Sequence, residues 1–247
     1  MSAKNICATG TCLTRRTLLG SALGVSVAAV FGGVALAEAA GSVAFTKEQR
    51  DQLTPDQVLG LLRSGNERFR TGRMQPHNYL AQKQQTAGGQ FPAAAILSCI
   101  DSRAPAEILL DTRIGDTFNA RIAGNVADDD VLGSLEFACA AAGAKLVLVM
   151  GHTACGAVKG AIDGVELGHL TGLLEKIKPA VAATTYSGDR SGKNADFVDA
   201  VARTHVEQTV EAITKQSSIL AKLVSDQKIR VVGSMYHLKG GRVEFFA

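Results

Sequence analysis

Residues 93–99 and 145–150 form two short, nearly unbroken apolar runs. Runs of that length, bounded by Gly, Pro and charged residues, predict strands covered on both faces. Residues 118–123 make a weaker strand candidate, and 228–233 a further apolar one. A last strand is expected over 236–246, with Gly240-Gly241 as a turn or bulge inside it. Between these runs the apolar period lengthens to that of a helix. Asp128-Asp129-Asp130 put negative charge at the start of a helix running to about Gly143, which suits the helix dipole. Further helices are expected over 154–163, 166–183 and 195–226. Strands alternating with helices define an α/β fold. The expected sheet is mainly parallel, with about four parallel strands plus an antiparallel edge strand, flanked by helices.

Ahead of the first strand lies a different pattern. Thr46-x-x-Gln49 and Thr54-Pro55-x-Gln57 each pair a capping hydroxyl with an N3 glutamine, and the second adds Pro at the first helical position. The second opens an amphipathic helix through Leu61, Leu62 and Phe69 that ends near Gly72. A polar, Gln-rich stretch then leads to Gly88-Gly89. Together these form an N-terminal helical arm over about 46–88.

Residues 1–37 read as an export signal. Arg15-Arg16 precede a Gly- and Ala-rich apolar run that ends at Ala35-Leu36-Ala37, an A-x-A-like cleavage site. The paired arginines make it a Tat-type signal, which implies the Tat export machinery as a partner and a periplasmic or otherwise exported location. An uncleaved run is long enough to anchor the protein in a membrane instead. The remaining 38–247 form one domain. Residues 1–37 contain Lys4, Arg15 and Arg16 and no carboxylate, so the formal charge of +3 falls to zero without them. No basic run then remains to hold nucleic acid. Cys7 and Cys12 leave with the signal; Cys99, Cys139 and Cys155 stay. An odd three is no disulfide framework. Cys139, in an Ala-rich helical stretch, reads as a buried helix residue.

The candidate chemistry sits at the ends of the two apolar runs. Cys99-Ile100-Asp101-Ser102-Arg103 is followed about fifty residues later by His152-Thr153-Ala154-Cys155. Either motif alone can be a structural strand end. Together they supply two thiolates and one imidazole, a donor set that selects zinc and leaves a fourth position open. Open α/β sheets place ligands beyond the carboxyl ends of their strands, at a switch point, so residues this distant in sequence can meet there. Zinc in such a site lowers the pKa of water toward neutrality. Asp101 is placed to accept a hydrogen bond from that water, with Arg103 holding it ionised. If Arg103 releases it, Asp101 can close the site as a fourth ligand.

Over roughly 55–247 the chain resembles a β-class carbonic anhydrase. The resemblance is carried by Gly65-Asn66-x-Arg68-Phe69, Cys99-x-Asp101-Ser102-Arg103, Gly115-Asp116-x-Phe118, Ala123-Gly124-Asn125 and Gly151-His152-Thr153-x-Cys155-Gly156. Gly233-x-x-Tyr236 and Gly241-x-Val243 extend it toward the end. It implies zinc on Cys99, His152 and Cys155, an Asp101–Arg103 catalytic dyad, and reversible hydration of carbon dioxide to bicarbonate. It also implies that Gln90 hydrogen-bonds substrate, that Phe118, Ala123, Phe137 and Gly156 line the pocket, and that a homodimer or higher homo-oligomer shares the site. Gln90 and the aromatic wall are then expected from the partner subunit. The chain departs from the pattern at Ile100 and Ile122. It has Ile96, and no Trp anywhere, where some members carry the Trp of a bicarbonate-controlled closed form. An open site with Asp101 off the metal is therefore expected at neutral pH. Two other functions compete: hydrolysis of carbonyl sulfide or carbon disulfide on the same zinc, and a non-enzymatic zinc-binding module. The Asp101–Arg103 pair argues against the second, because metal storage needs no dyad.

Overall fold

The computed structural model describes residues 44–246. The expected export signal and its cleavage site lie outside these residues. No helix among them is long and apolar enough to cross a membrane.

Five strands form one sheet: β1 (Ala94–Ser98), β2 (Thr117–Arg121), β3 (Leu146–His152), β4 (Arg230–Tyr236) and β5 (Val243–Phe246). Their order is β2-β1-β3-β4-β5. The first four run parallel and β5 is antiparallel at the edge, as the apolar pattern predicts. Every residue of β1 and β3 is buried, because helices cover both faces. Alternation divides the side chains. Ala95, Leu97, Val147 and Val149 pack into one core with the later helices; Ala94, Ile96, Leu146 and Leu148 pack into the other, against the N-terminal arm.

The arm begins with α1 (Lys47–Gln52) and α2 (Pro55–Arg70), and both expected capping boxes are formed. Helix α2 buries Val58, Leu59 and Leu62 against the sheet. Asn66 fastens it there. Its amide donates to the carbonyls of Leu109 and Gly241, and its oxygen accepts the N–H of Val243 at 2.8 Å. A Cβ on Gly65 would stand 1.8 Å from the Leu110 oxygen, so glycine there lets α2 close on that backbone.

Several expectations are corrected. The Gln-rich stretch contains a helix, α3 (Tyr79–Thr86), capped by the Asn78 side chain. A short α4 (Ala106–Leu109) follows β1. The helix opened by Asp128 is α5 (Asp129–Glu136), which passes into one π turn (Phe137–Ala141) before Gly143. After α6 (Gly156–Ile162), the single helix expected over 166–183 is two, α7 (Gly168–Glu175) and α8 (Lys178–Ala183). Pro179, near the start of α8, has no N–H to continue the ladder from α7. The helix expected over 195–226 also divides, into α9 (Ala195–Gln216) and α10 (Ser218–Ser225), because Ser217 ends the first and caps the second through its side chain. Tyr236 belongs to β4, so the strand expected over 236–246 is a hairpin turn followed by β5.

Candidate metal centre and active site

Strand order places the switch point at β1. The chain leaves β1 for β2 on one side and returns to β3 on the other. Cys99 lies one residue beyond β1 and His152 is the last residue of β3. Neighbouring parallel strands in register therefore bring both to the same carboxyl edge. His152 reaches Cys155 through a tight turn in which Ala154 adopts φ 55°. That strained backbone is pinned by its N–H, which donates to Asp199 Oδ1 at 2.8 Å, and by Thr153, whose N–H donates to the Tyr236 carbonyl at 3.0 Å.

The donor atoms of Cys99, His152 and Cys155 lie within 4.8 Å of one another, and all three residues are buried. The Nδ1 of His152 is 2.9 Å from the Thr153 carbonyl. A carbonyl only accepts, so Nδ1 carries the hydrogen and Nε2 presents its lone pair. That Nε2 is buried with no hydrogen-bond partner. An orphaned imidazole nitrogen beside two thiols is costly to bury, and a metal at this point satisfies it. The sulfurs tell the same story. Hydrogen bonding from the Cys155 thiol lowers the Cys99 pKa against burial, with help from the Gly124 N–H. The Cys99 thiolate and burial push Cys155 up. Metal binding at cysteine requires the thiolate form, which the low pKa of Cys99 favours. These residues fit zinc, the metal of β-class carbonic anhydrases. Cys139 stands apart; burial alone pushes its thiol up to about 12.

Asp101 belongs to the same edge but is turned away. Its Oδ1 accepts the Arg103 N–H and Nε, both at 2.9 Å, and its Oδ2 accepts Nη2 at 2.7 Å. This forked pair holds the carboxyl well below the usual carboxylate range. Oδ2 still lies 3.8 Å from His152 Nε2. The carboxylate therefore borders the donor group without joining it. Arg121 fixes the loop itself, with Nε donating to the Cys99 carbonyl at 3.0 Å and Nη2 to the Asp101 carbonyl at 2.6 Å.

A cavity of about 480 Å³ opens on this edge, lined by Cys99, Ile100, Asp101, Ala123, Gly156 and Leu174 among others. Of the four residues expected to line the substrate pocket, Ala123 and Gly156 line this cavity. Gln90, Phe118 and Phe137 stand outside this cavity. Gln90 is exposed between α3 and β1. Phe118 and Phe137 pack edge to face at 5.9 Å, and Phe137 is 58% exposed. Sequence reasoning missed the contacts made by Arg121 and Asp199, and the burial of His205. His205 sits on the buried stripe of α9 with Val201, Ala202 and Val206, and that periodicity was the available signal.

A parallel sheet with a Cys–His–Cys donor group at its switch point, bordered by an Asp–Arg pair, defines a zinc enzyme of one class. The carbonic anhydrase family profile matches residues 94–243. "Carbonic anhydrase 2" of Mycobacterium tuberculosis is 38% identical over 183 residues, covering 73% of this chain and 87% of that protein. The β-carbonic anhydrase CafA of Aspergillus fumigatus superposes with a TM-score of 0.60 at 28% identity, over 66% of this chain and 79% of that one. A structure of tetrameric β-carbonic anhydrases from Sordaria macrospora gives 0.57 at 26% identity, over 65% and 83%. The chain belongs to the carbonic anhydrase family, in its β class, and is a carbonic anhydrase enzyme.

Proposed function

We propose that Cys99, His152 and Cys155 hold the zinc and that Asp101, fixed by Arg103, orients the water that attacks carbon dioxide. The products are bicarbonate and one proton. The observation behind this reading is the buried three-donor group with Asp101 Oδ2 3.8 Å from His152 Nε2 and locked onto Arg103. Zinc at these donors supplies a Lewis acid that brings the pKa of water from 15.7 toward neutrality. An ionised carboxylate only accepts hydrogen bonds. Asp101 therefore takes an O–H of the attacking water and leaves the oxygen's lone pair facing the substrate. Ile100, Ala123 and Leu174 on the cavity wall suit a small, linear, uncharged molecule. Exposed Gln90 and Phe137 are free to complete the site of a second copy, so the working enzyme is read as a homodimer or higher homo-oligomer.

Stopped-flow hydration of carbon dioxide by zinc-loaded protein tests this, with Cys99→Ala as the control. Parallel assays with carbonyl sulfide and carbon disulfide separate the sulfur-substrate alternative: turnover of these alone would replace carbon dioxide as substrate.

The twin Arg15-Arg16 and the A-x-A-like Ala35-Leu36-Ala37 support Tat-dependent export of the domain over 38–247. Replacing both arginines by lysine should leave precursor in the cytoplasm. Normal export of that variant would refute the assignment.

A further inference from the structure

We propose that His205 is a positioning residue for the metal centre, acting through Gly124 on the sulfur of Cys99. The proposal rests on Cys99 being a zinc ligand. Helix α9 carries His205 on its buried stripe, and the imidazole enters an otherwise apolar core. A polar ring in such surroundings needs a partner. Its partner is the Gly124 carbonyl, 2.9 Å from Nε2. Since the carbonyl only accepts, Nε2 carries the hydrogen.

Gly124 is held from both sides. Its own N–H donates to Cys99 Sγ at 3.3 Å. It adopts φ 67° and ψ 18°, in the left-handed region that favours glycine. A Cβ there would stand 2.6 Å from Ile177 Cδ1 and 3.3 Å from Ala157 Cβ. Glycine is therefore required by conformation and by space, but glycine alone does not hold that conformation. The His205 hydrogen bond fixes the carbonyl and so aims the N–H at the sulfur.

The aim has chemical consequences. An N–H donated to a ligand sulfur fixes its orientation toward the metal position. It also withdraws charge from the sulfur, so the metal stays a stronger Lewis acid. Such outer contacts are typically worth about 10–100-fold in metal affinity or activity. Without His205, zinc is held less tightly and the pH–rate curve moves to higher pH.

Chelator competition on the full chain tests this, comparing wild type with His205→Leu, His205→Gln, Ile213→Ala and Cys99→Ala. Ile213 lies two turns further along α9 and is fully buried, so its truncation reports destabilisation of the helix alone. His205→Leu should lose about tenfold in zinc affinity and shift the pH–rate midpoint upward. His205→Gln, which keeps an N–H donor, should restore both toward wild type. Ile213→Ala should melt lower yet bind zinc normally. Wild-type affinity in His205→Leu, no recovery in His205→Gln, or equal loss in Ile213→Ala would each overturn the proposal. If Cys99→Ala keeps full affinity, the ligand assignment fails and the proposal with it. If Cys99→Ala loses zinc while His205→Leu does not, the proposal alone fails.

Discussion

Asp101 Oδ2 stands 3.8 Å from His152 Nε2, yet both carboxylate oxygens accept their hydrogen bonds from Arg103. A carboxylate this close to an orphaned imidazole nitrogen is either a fourth metal ligand or a neighbour of whatever occupies that place. The guanidinium decides between them, because two parallel N–H donors hold both oxygens.

Under the proposed mechanism, Arg103 controls the state of the site. Lysine offers a point charge and no fork, so Arg103→Lys should free Asp101 toward the metal. The expected result is a fall in kcat/KM of about 10–100-fold at unchanged zinc content. Metal analysis beside steady-state kinetics checks it; unchanged kinetics would show that the fork is dispensable.

Of the three cysteines among the described residues, metal removal should expose two. Cys99 carries the lowered pKa and reacts first with an alkylating agent once zinc is chelated. Cys155 follows when its neighbour is gone. Cys139 should stay unmodified until denaturation, since burial holds its thiol at about 12. Peptide mapping by mass spectrometry distinguishes these, and zinc-loaded protein should protect Cys99 and Cys155.

Burial lowers the pKa of His205, with a consequence of definite sign. Its folded pKa lies below the unfolded value of about 6.5, so the unfolded chain binds a proton that the folded one does not. Stability from this residue is fully present above about pH 6.5 and is lost as pH falls through the folded pKa. Thermal melts from pH 7.5 to pH 5 should therefore decline less steeply in His205→Gln than in wild type. Equal slopes would remove His205 from the acid response.

Asn66 joins α2 to two distant segments through three buried hydrogen bonds. Asn66→Ala leaves the Val243 N–H and two carbonyls without partners. At about 1–3 kcal/mol for each buried polar group left unsatisfied, the loss should be at least about 3 kcal/mol by urea denaturation. A loss under about 1 kcal/mol would mean that water or relaxation replaces the contacts.

Much of this was legible in the chain. The unbroken runs at 93–99 and 145–150 marked the central strands, because parallel strands buried on both faces admit no alternation. Thr46, Thr54 and Asp128 marked helix starts through local capping chemistry. The candidate metal donors were legible because their residue types and strand-end placement are chemical requirements. Helix α3 was hidden, since its Gln-rich face carries little apolar period and its cap at Asn78 is a single contact. Ser217 was hidden because the apolar pattern runs through it while its side chain caps a new helix. The clamps by Arg121 and His205 span 22 and 81 residues of sequence, and no local pattern announces contacts at that range.

The most direct test is the rate of carbon dioxide hydration by zinc-loaded Asp101→Asn, measured by stopped flow beside its metal content. Asparagine keeps the shape but can offer an N–H in place of a lone pair. The expected result is one zinc per chain and a fall in kcat of about 100-fold or more. A fully loaded variant turning over within twofold of wild type would contradict the role given to Asp101.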